Sequence, residues 1–255
     1  MKILIYSDLH LEFGTDFKPP VNSDADVMIL AGDIITFKDF TPLRKFLEDW
    51  DKPVLYVAGN HEYYTKEPMQ QCQEDFLNWI AVYGRNVTFL RDEEITIDGV
   101  HFFGGTMWTD FRKADPMAMA IAHRGMNDFR LIINDDTELN PGDTVDFHKE
   151  YVKKLKVWFD KDLIGSRVVI SHHAPCINPN GFHKGSSLQP AYNSLDMIPI
   201  MVKYKPAIWC YGHTHEPDDQ IIGETRIISN PRGYPLRNGG AECKGFKDDG
   251  VGVVA

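Results

Sequence analysis

The chain has 255 residues, 43% of them hydrophobic, so it is long enough to bury a substantial core. Acidic residues outnumber basic ones by 37 to 27, and the resulting net charge of −10 disfavours a surface for long nucleic acids, which need clustered Lys and Arg. No apolar run approaches the roughly 20 residues that span a bilayer, and the N-terminus lacks the pattern of a secretion signal. The sequence therefore predicts a cytoplasmic protein without a membrane segment.

Short apolar runs rich in β-branched residues predict strands along the whole chain. In chain order these runs are residues 3–6, 27–30, 54–57, 87–90, 100–103, 168–170, 207–211 and 226–228. Two stretches, residues 68–83 and 146–163, carry apolar stripes with helical spacing. The alternation of strands and helices predicts a layered α/β domain, with some antiparallel pairing near residues 95–100.

The organisation of the chain predicts a single domain over residues 1–255, because no repeat, low-complexity tract or Pro/Ser-rich linker divides it. Two stretches, residues 109–141 and 176–194, exceed ordinary connections and are expected to be loops on the substrate side. Widely spaced cysteines predict free, mostly buried thiols and no thiolate metal site. These are Cys72, Cys176, Cys210 and Cys243.

Polar side chains capable of binding metal ions follow five of the predicted strands. The first strand ends in Asp8-x-His10, and the others are followed by Gly32-Asp33, Gly59-Asn60-His61-Glu62, His172-His173 and Gly212-His213-x-His215. In an open α/β sheet, ligands bind outside the carboxyl ends of the strands, so these side chains are expected to gather at one edge. Glycine before three of these groups suits sharp turns and close backbone approach beside a metal cluster.

The types of side chain limit the chemistry. Imidazoles, carboxylates and one carboxamide, without thiolate, suit ions that accept mixed nitrogen and oxygen ligands, such as Mn²⁺, Fe or Zn²⁺. About seven such ligands are too many for one tetrahedral zinc ion and favour a pair of divalent ions with one bridging carboxylate. Paired ions of this kind, Mg²⁺ included, hydrolyse phosphoesters by activating a hydroxide for attack.

Taken together, these motifs resemble the calcineurin-like metallophosphoesterase superfamily, in the same order along residues 8–215. The resemblance implies a two-sheet β-sandwich flanked by helices, a four-layer architecture with a two-metal centre at the sheet edge. It implies one ion held by Asp8, His10 and His215, a bridging Asp33, and a second ion held by Asn60, His172 and His213. His61 would bind no metal and would face the substrate as a catalytic residue.

The sequence departs from the protein Ser/Thr phosphatases of the superfamily. These continue Gly-Asp with x-Val-Asp-Arg-Gly, whereas here Asp33 is followed by Ile34, Ile35 and Thr36, so the Asp that pairs with their catalytic His and the next Arg are missing. We therefore expect a phosphatase or phosphodiesterase acting on a small phosphomonoester or phosphodiester. The alternatives are a nuclease of the same superfamily and a catalytically silent scaffold of the same fold.

The remaining candidates are weighed by their position. His172 lies nearest its strand end and matches the superfamily position, with His173 as the second choice. Arg232 is a candidate for gripping phosphate through its guanidinium, while Asn127 and His123 lie in a long loop that could contact substrate. Two further histidines read as structural: His101 as a satisfied strand residue and His148 as a surface residue of a helix. The oligomeric state is left open by the sequence.

Overall fold

The computed structural model describes residues 1–179, 181–237 and 239–253. Its strands are β1 (Lys2–Tyr6), β2 (Val27–Ala31), β3 (Val54–Val57), β4 (Val87–Phe89), β5 (Glu93–Ile97), β6 (Val100–Gly105), β7 (Ile133–Asn134), β8 (Thr137–Glu138), β9 (Arg167–Ser171), β10 (Ile208–Tyr211), β11 (Asp218–Ile222), β12 (Thr225–Ser229) and β13 (Val251–Val253). Its helices are α1 (Thr41–Phe46), α2 (Met69–Tyr83), α3 (Phe111–Ala114), α4 (Pro116–Gly125), α5 (Asp128–Leu131), α6 (Pro141–Phe159) and α7 (Met197–Tyr204).

The strands form two main sheets and one short hairpin. The first sheet has the order β13-β1-β2-β3-β4, and the second has the order β11-β12-β10-β9-β6-β5. In both sheets the central strands are parallel, and antiparallel strands lie at edges, as β13, β11 and β5 do. The carboxyl ends of β1, β2 and β3 therefore lie side by side in one sheet, and those of β9 and β10 lie side by side in the other.

The two sheets pack face to face, and each is covered by helices on its outer side. Alternate residues of β1 show this, because Ile3 and Ile5 pack in the core between the sheets while Leu4 and Tyr6 pack with α1, α2 and α4. The second sheet buries its outer face against α6 and α7. Strands buried on both faces are continuous apolar runs, which explains the sequence pattern. The predicted four-layer sandwich is confirmed.

The predicted strands and helices are present with small shifts at their ends. The largest shift is at α6, which begins at Pro141 rather than near residue 146. Asn140 and Asp143 form a capping box there, each side chain accepting a hydrogen bond from the backbone N–H of the other. This cap satisfies N–H groups that the first helical turn leaves without partners, and it starts the helix before its apolar stripe.

The stretch 109–141 is not the irregular loop that its length predicted. It folds into α3, α4, α5 and the β7–β8 hairpin. Asp115 caps α4 by accepting the N–H groups of Met117 and Ala118, and Pro116 occupies the first turn. The residues of α3 all have positive φ, so this element is a left-handed turn rather than a regular helix. None of the helices in the described part of the chain has the length and apolar character needed to cross a membrane.

The prediction that His148 lies on the surface is wrong. Its side chain is buried, with Nδ1 3.2 Å from the carbonyl oxygen of Met107 and Nε2 3.1 Å from a carboxylate oxygen of Asp196. These two partners come from segments far away in sequence, so the spacing within the helix could not show them. His101 is a satisfied strand residue, as predicted, and the four cysteines are buried free thiols.

We expect His148→Ala to lower the free energy of unfolding by about 2–4 kcal/mol, because it leaves a cavity and removes two hydrogen bonds from a buried site. Chemical denaturation measures the change. The control is Lys149→Ala, an exposed neighbour on the same helix whose removal should change the stability by about 0.5 kcal/mol or less. Equal effects of the two substitutions would contradict the structural role of His148.

Candidate metal centre

Residues that follow five strands meet at one end of the sandwich. Asp8 and His10 follow β1, Asp33 follows β2, and Asn60 follows β3. From the second sheet, His172 follows β9, and His213 and His215 follow β10. All but His215 are at least nine-tenths buried. The structure thus brings together the seven side chains that the sequence motifs singled out.

Glycines allow these segments to approach one another closely. A Cβ on Gly59 would lie 2.2 Å from Oδ1 of Asp33, and a Cβ on Gly212 would lie 2.7 Å from Oδ2 of Asp8. Both distances are too short for any side chain larger than hydrogen. The glycines at these strand ends are therefore required by the packing of backbone against the carboxylates, as the sequence predicted.

One group of potential ligands consists of Asp8, His10 and His215. Nε2 of His10 lies 3.2 Å from Nε2 of His215, which is 3.6 Å from Oδ1 of Asp8. The carboxylate of Asp8 also accepts the backbone N–H of His213 at 2.9 Å, which fixes its orientation. Two imidazole nitrogens and a carboxylate oxygen thus converge on one point.

A second group consists of Asp33, His172 and His213. Nε2 of His172 lies 3.4 Å from Oδ1 of Asp33 and 3.1 Å from Oδ1 of Asn60. Nε2 of His213 is buried without a hydrogen-bond partner in the described part of the chain. A buried polar atom of this kind is costly unless something binds it, and a cation held by this group would do so. Asp33 also lies in a third group, with His10 and His61, so its carboxylate lies between the two clusters.

The charges in the centre favour an ionised Asp33 and a neutral His213, whereas burial would lower the pKa of His172 but Asp33 outweighs this effect and raises it to about 9. Burial would raise the pKa of Asp33, but the nearby His172 and His61 outweigh it and hold the pKa well below its usual value. Burial, together with His173 and His172, lowers the pKa of His213 well below its ordinary value. A deprotonated carboxylate and a neutral imidazole are the states that bind a metal ion.

Acceptors orient the remaining ring nitrogens of these histidines. Nδ1 of His172 lies 2.9 Å from the carbonyl oxygen of Ala31, and Nδ1 of His215 lies 2.9 Å from Oε2 of Glu242. Nδ1 of His10 is 3.5 Å from Oε1 of Glu12. Such partners fix the tautomer and orientation of the ring in metal sites, which leaves Nε2 free to face the centre.

His61 is held beside the centre but faces the cleft. Its backbone N–H donates to Oδ1 of Asp33 at 2.8 Å, while its side chain has Nδ1 3.5 Å from Glu12 and Nε2 3.2 Å from the hydroxyl of Tyr234. Burial would lower the pKa of His61, but Asp33 and Glu12 raise it to about 9. Both carboxylates therefore favour the protonated form of this imidazole.

A cleft of about 640 Å³ opens over the centre. Aromatic rings line part of it: His183 stacks on Tyr192 at 3.6 Å between ring centroids, and Tyr192 stacks on His213 at 4.7 Å. Phe182, at the rim, is 80% exposed. The stretch 176–194 therefore contributes to the wall of the cleft, as expected for a substrate-side segment.

Comparison with known proteins identifies the family. The sequence model of the calcineurin-like phosphoesterase family matches residues 1–217. The chain belongs to this family. It is similar to an uncharacterized protein of Acanthamoeba polyphaga mimivirus, with 29% identity over 92% of each chain. It is also similar to a UPF0046 protein of Caenorhabditis elegans, with 34% identity over 42% of this chain and 39% of that one.

Solved structures share the fold at low sequence identity. A phosphopantetheinyl hydrolase from Mycobacterium tuberculosis superposes with a TM-score of 0.70 and 19% identity, covering 92% of this chain and 90% of that one. A dimetal phosphatase from Danio rerio superposes with a TM-score of 0.55 and 11% identity, covering 90% and 86%. At these identities the likeness establishes the calcineurin-like phosphoesterase fold.

The structure places the candidates for substrate contact differently. Asn127 lines the cleft, and its side-chain Oδ1 accepts a hydrogen bond from the guanidinium of Arg130 at 2.6 Å. Arg232 does not reach the cleft, because its buried guanidinium lies over the ring of Phe17 and donates to the carbonyl oxygen of Gly239. The structure therefore does not support the prediction that Arg232 grips phosphate.

The other two histidines in question, His123 and His173, belong to none of the ligand groups among the described residues, although the ring of His173 packs 4.2 Å from the ring of His213. His123 is exposed on α4 and stacks on Phe129, and it is not among the described residues that line the cleft. Its placement does not support substrate contact. Nδ1 of His173 lies 3.3 Å from the carbonyl oxygen of Thr106, whereas His172 faces Asp33, so the preference for His172 agrees with the geometry.

Sequence reasoning missed three side chains of the site. Glu12, Tyr234 and Glu242 hold His61 and His215 by the contacts described above. Glu12 follows His10 by two residues, which could have drawn attention to it. Tyr234 and Glu242 lie beyond the residues that the family model matches, and no local pattern marks them.

Glu62, which follows His61 in the motif, is a structural residue of the centre. Oε2 accepts the backbone N–H groups of Asp33 and Gly59 at 2.9 and 2.7 Å. Oε1 accepts the N–H of Ile34 at 2.8 Å and the hydroxyl of Tyr56 at 2.6 Å. The fully buried carboxylate thus joins the loops that follow β2 and β3.

We expect Glu62→Gln to lower the free energy of unfolding by about 2–4 kcal/mol, because the amide nitrogen would face two hydrogen-bond donors in a buried site. Urea denaturation in the presence of a chelator measures this change without any contribution from bound metal. Glu67→Gln, an exposed substitution of the same type, is the control. If the two variants unfold at the same urea concentration, Glu62 does not hold these loops.

Proposed function

We propose that this protein is a two-metal phosphoesterase that hydrolyses a small phosphomonoester or phosphodiester. The observation that supports this most strongly is the pair of ligand groups at the strand ends, with the carboxylate of Asp33 between them. Five further side chains complete these groups, and a sixth, Asn60, lies within 3.1 Å of His172. Folding of the sandwich alone does not require so many His, Asp and Asn side chains in one place.

The residues fit two divalent ions. Asp8, His10 and His215 would hold one ion, while Asn60, His172 and His213 would hold the other, with Asp33 shared. The mixed nitrogen and oxygen donors suit Mn²⁺, Fe or Zn²⁺, and the availability of each metal in the cell, Mg²⁺ included, decides which is bound. The buried Nε2 of His213 gains its missing partner in this assignment.

When bound, a pair of divalent ions polarises the phosphoryl group and lowers the pKa of water so that hydroxide is available near neutral pH. The chain itself supplies proton transfer. His61 would donate the proton, because its Nε2 faces the hydroxyl of Tyr234 at the cleft, where a departing ester oxygen could accept a proton. Glu12 lies 3.5 Å from Nδ1 and orients the ring. It thus takes the role of the Asp that pairs with the catalytic His in the protein Ser/Thr phosphatases, where this chain has Thr36.

The cleft supports a small substrate rather than a long nucleic acid. Lys244 is the single Lys or Arg among the described residues that line it, whereas Asp33, Asp128, Glu216 and Glu242 are acidic. A nucleic-acid channel needs several cations along the phosphate backbone. The names of the structural neighbours, a phosphopantetheinyl hydrolase and a dimetal phosphatase, agree with hydrolysis of a phosphate ester.

We expect the purified protein to retain about two divalent ions and to hydrolyse at least one member of a panel of aryl and alkyl phosphomonoesters, phosphodiesters and nucleotides. Asp33→Ala should lose at least one ion and nearly all turnover, because no neighbour can replace a shared carboxylate. Metal analysis after desalting, with assays in Mn²⁺, Zn²⁺ and Mg²⁺, measures both. Stoichiometric metal without turnover on any ester would favour a catalytically silent scaffold.

We expect His61→Gln to keep both ions but to lose activity, by up to about 10²–10⁴-fold where general acid help is needed. Glutamine preserves much of the shape and cannot transfer a proton. The loss should be larger for alkyl or nucleotide esters than for nitrophenyl esters, since nitrophenolate leaves without protonation. Equal losses in kcat on both kinds of ester would leave His61 only an electrostatic role.

A further inference from the structure

The carboxamide of Asn60 raises a question of orientation. One end of the amide is an oxygen that can bind a cation, and the other is an NH₂ group that can only donate hydrogen bonds. Rotation by 180° about the last side-chain bond exchanges the two ends with almost no change in shape. If Asn60 is to bind a metal ion, something must decide which end faces the ligand group formed by Asp33, His172 and His213.

Two neighbouring side chains decide it. Nδ2 of Asn60 donates to Oδ1 of Asp128 at 2.9 Å and to the hydroxyl oxygen of Tyr64 at 3.0 Å, so both N–H bonds are used. The hydroxyl of Tyr64 donates in turn to Oδ1 of Asp128. A carboxylate only accepts hydrogen bonds, so the opposite orientation of the amide would place two oxygens against each other. Oδ1 of Asn60 therefore faces His172, 3.1 Å from its Nε2.

The three residues come from two distant parts of the chain. Asp128 begins α5, within the segment that was expected to be a loop, and is 2% exposed. Tyr64 follows the 3-10 helix His61–Tyr63, one turn after Asn60, and its ring packs 4.3 Å from the ring of His61. In the described ranges, Asp128 makes its side-chain hydrogen bonds to Asn60 and Tyr64 and none to Asp8, His10 or His215.

We propose that Asp128 and Tyr64 are positioning residues, which hold Oδ1 of Asn60 toward the group of Asp33, His172 and His213 and so set the affinity for one ion. The proposal rests on the proposed function, since it requires metal ions at the centre. Asp8, His10 and His215, which would hold the other ion, take no part in the described hydrogen bonds of this network. The segment 109–141 thus acts on the metal centre as well as on the wall of the cleft.

The test measures how tightly the Asp128→Ala variant binds each of two Mn²⁺ ions, by stepwise titration against a competing chelator. We expect one dissociation constant to rise by about 10–100-fold, as for other residues that orient a metal ligand, and the other to stay unchanged. The matched control is Asp136→Ala, an exposed acidic residue in the same segment, which should leave both constants unchanged. A thermal melt without metal checks that the variants fold.

A double variant distinguishes loss of the orientation of residue 60 from general damage to the structure. In the double variant Asn60→Asp with Asp128→Ala, residue 60 has an oxygen at each end, so no partner is needed to orient it, and the total charge is unchanged. We expect this variant to recover the weakened affinity. Tyr64→Phe, which keeps the ring against His61, should weaken the same ion by a smaller factor and serves if Asp128→Ala does not fold.

Two results would overturn the proposal. In one, both ions bind to Asp128→Ala and Tyr64→Phe as tightly as to the wild type. In the other, Asp128→Ala weakens both ions equally and Asn60→Asp does not restore either, which would show a general structural role. A wild-type protein that binds fewer than two ions would instead refute the two-metal function, and the proposal with it, so the two failures can be told apart.

Discussion

The buried carboxylate of Glu62 is the interaction on which the rest of the centre depends. It accepts the N–H groups of Asp33, Ile34 and Gly59, which belong to the loops after two neighbouring parallel strands. Buried N–H groups need partners, and at this point the chain has left the sheet that would supply them. The two oxygens of this one side chain satisfy all three. It thereby fixes the backbone of Asp33 before any ligand binds.

The sandwich joins two sets of candidate ligands. The first sheet supplies Asp8, His10, Asp33 and Asn60, and the second supplies His172, His213 and His215. These sets meet because the apolar core between the sheets holds the carboxyl ends of the parallel strands at one end of the molecule. An unfolded chain would not bring these side chains together, so binding of metal to the centre is expected to stabilise the whole fold.

Segments outside the two main sheets contact the side chains that follow the strands. Asp128 belongs to the helical segment between β6 and α6, whereas Tyr234 and Glu242 follow the last strand of the second sheet before β13. Each contacts a side chain of the strand-end motifs: Asp128 contacts Asn60, Tyr234 contacts His61, and Glu242 contacts His215. These segments also line the cleft, so the same segments contribute to the orientation of the centre and to the shape of the cleft.

The sequence by itself determined the layered fold and the side chains at the strand ends, because apolar runs and glycine turns act over a few residues. It did not determine the burial of His148, the place of Arg232 over Phe17, or the link from Asp128 to Asn60. These contacts join segments tens of residues apart, and Arg and Asp side chains are found mostly on surfaces, so the sequence contained no reason to place them in the interior. Only the packing of the tertiary structure decides which of them meet.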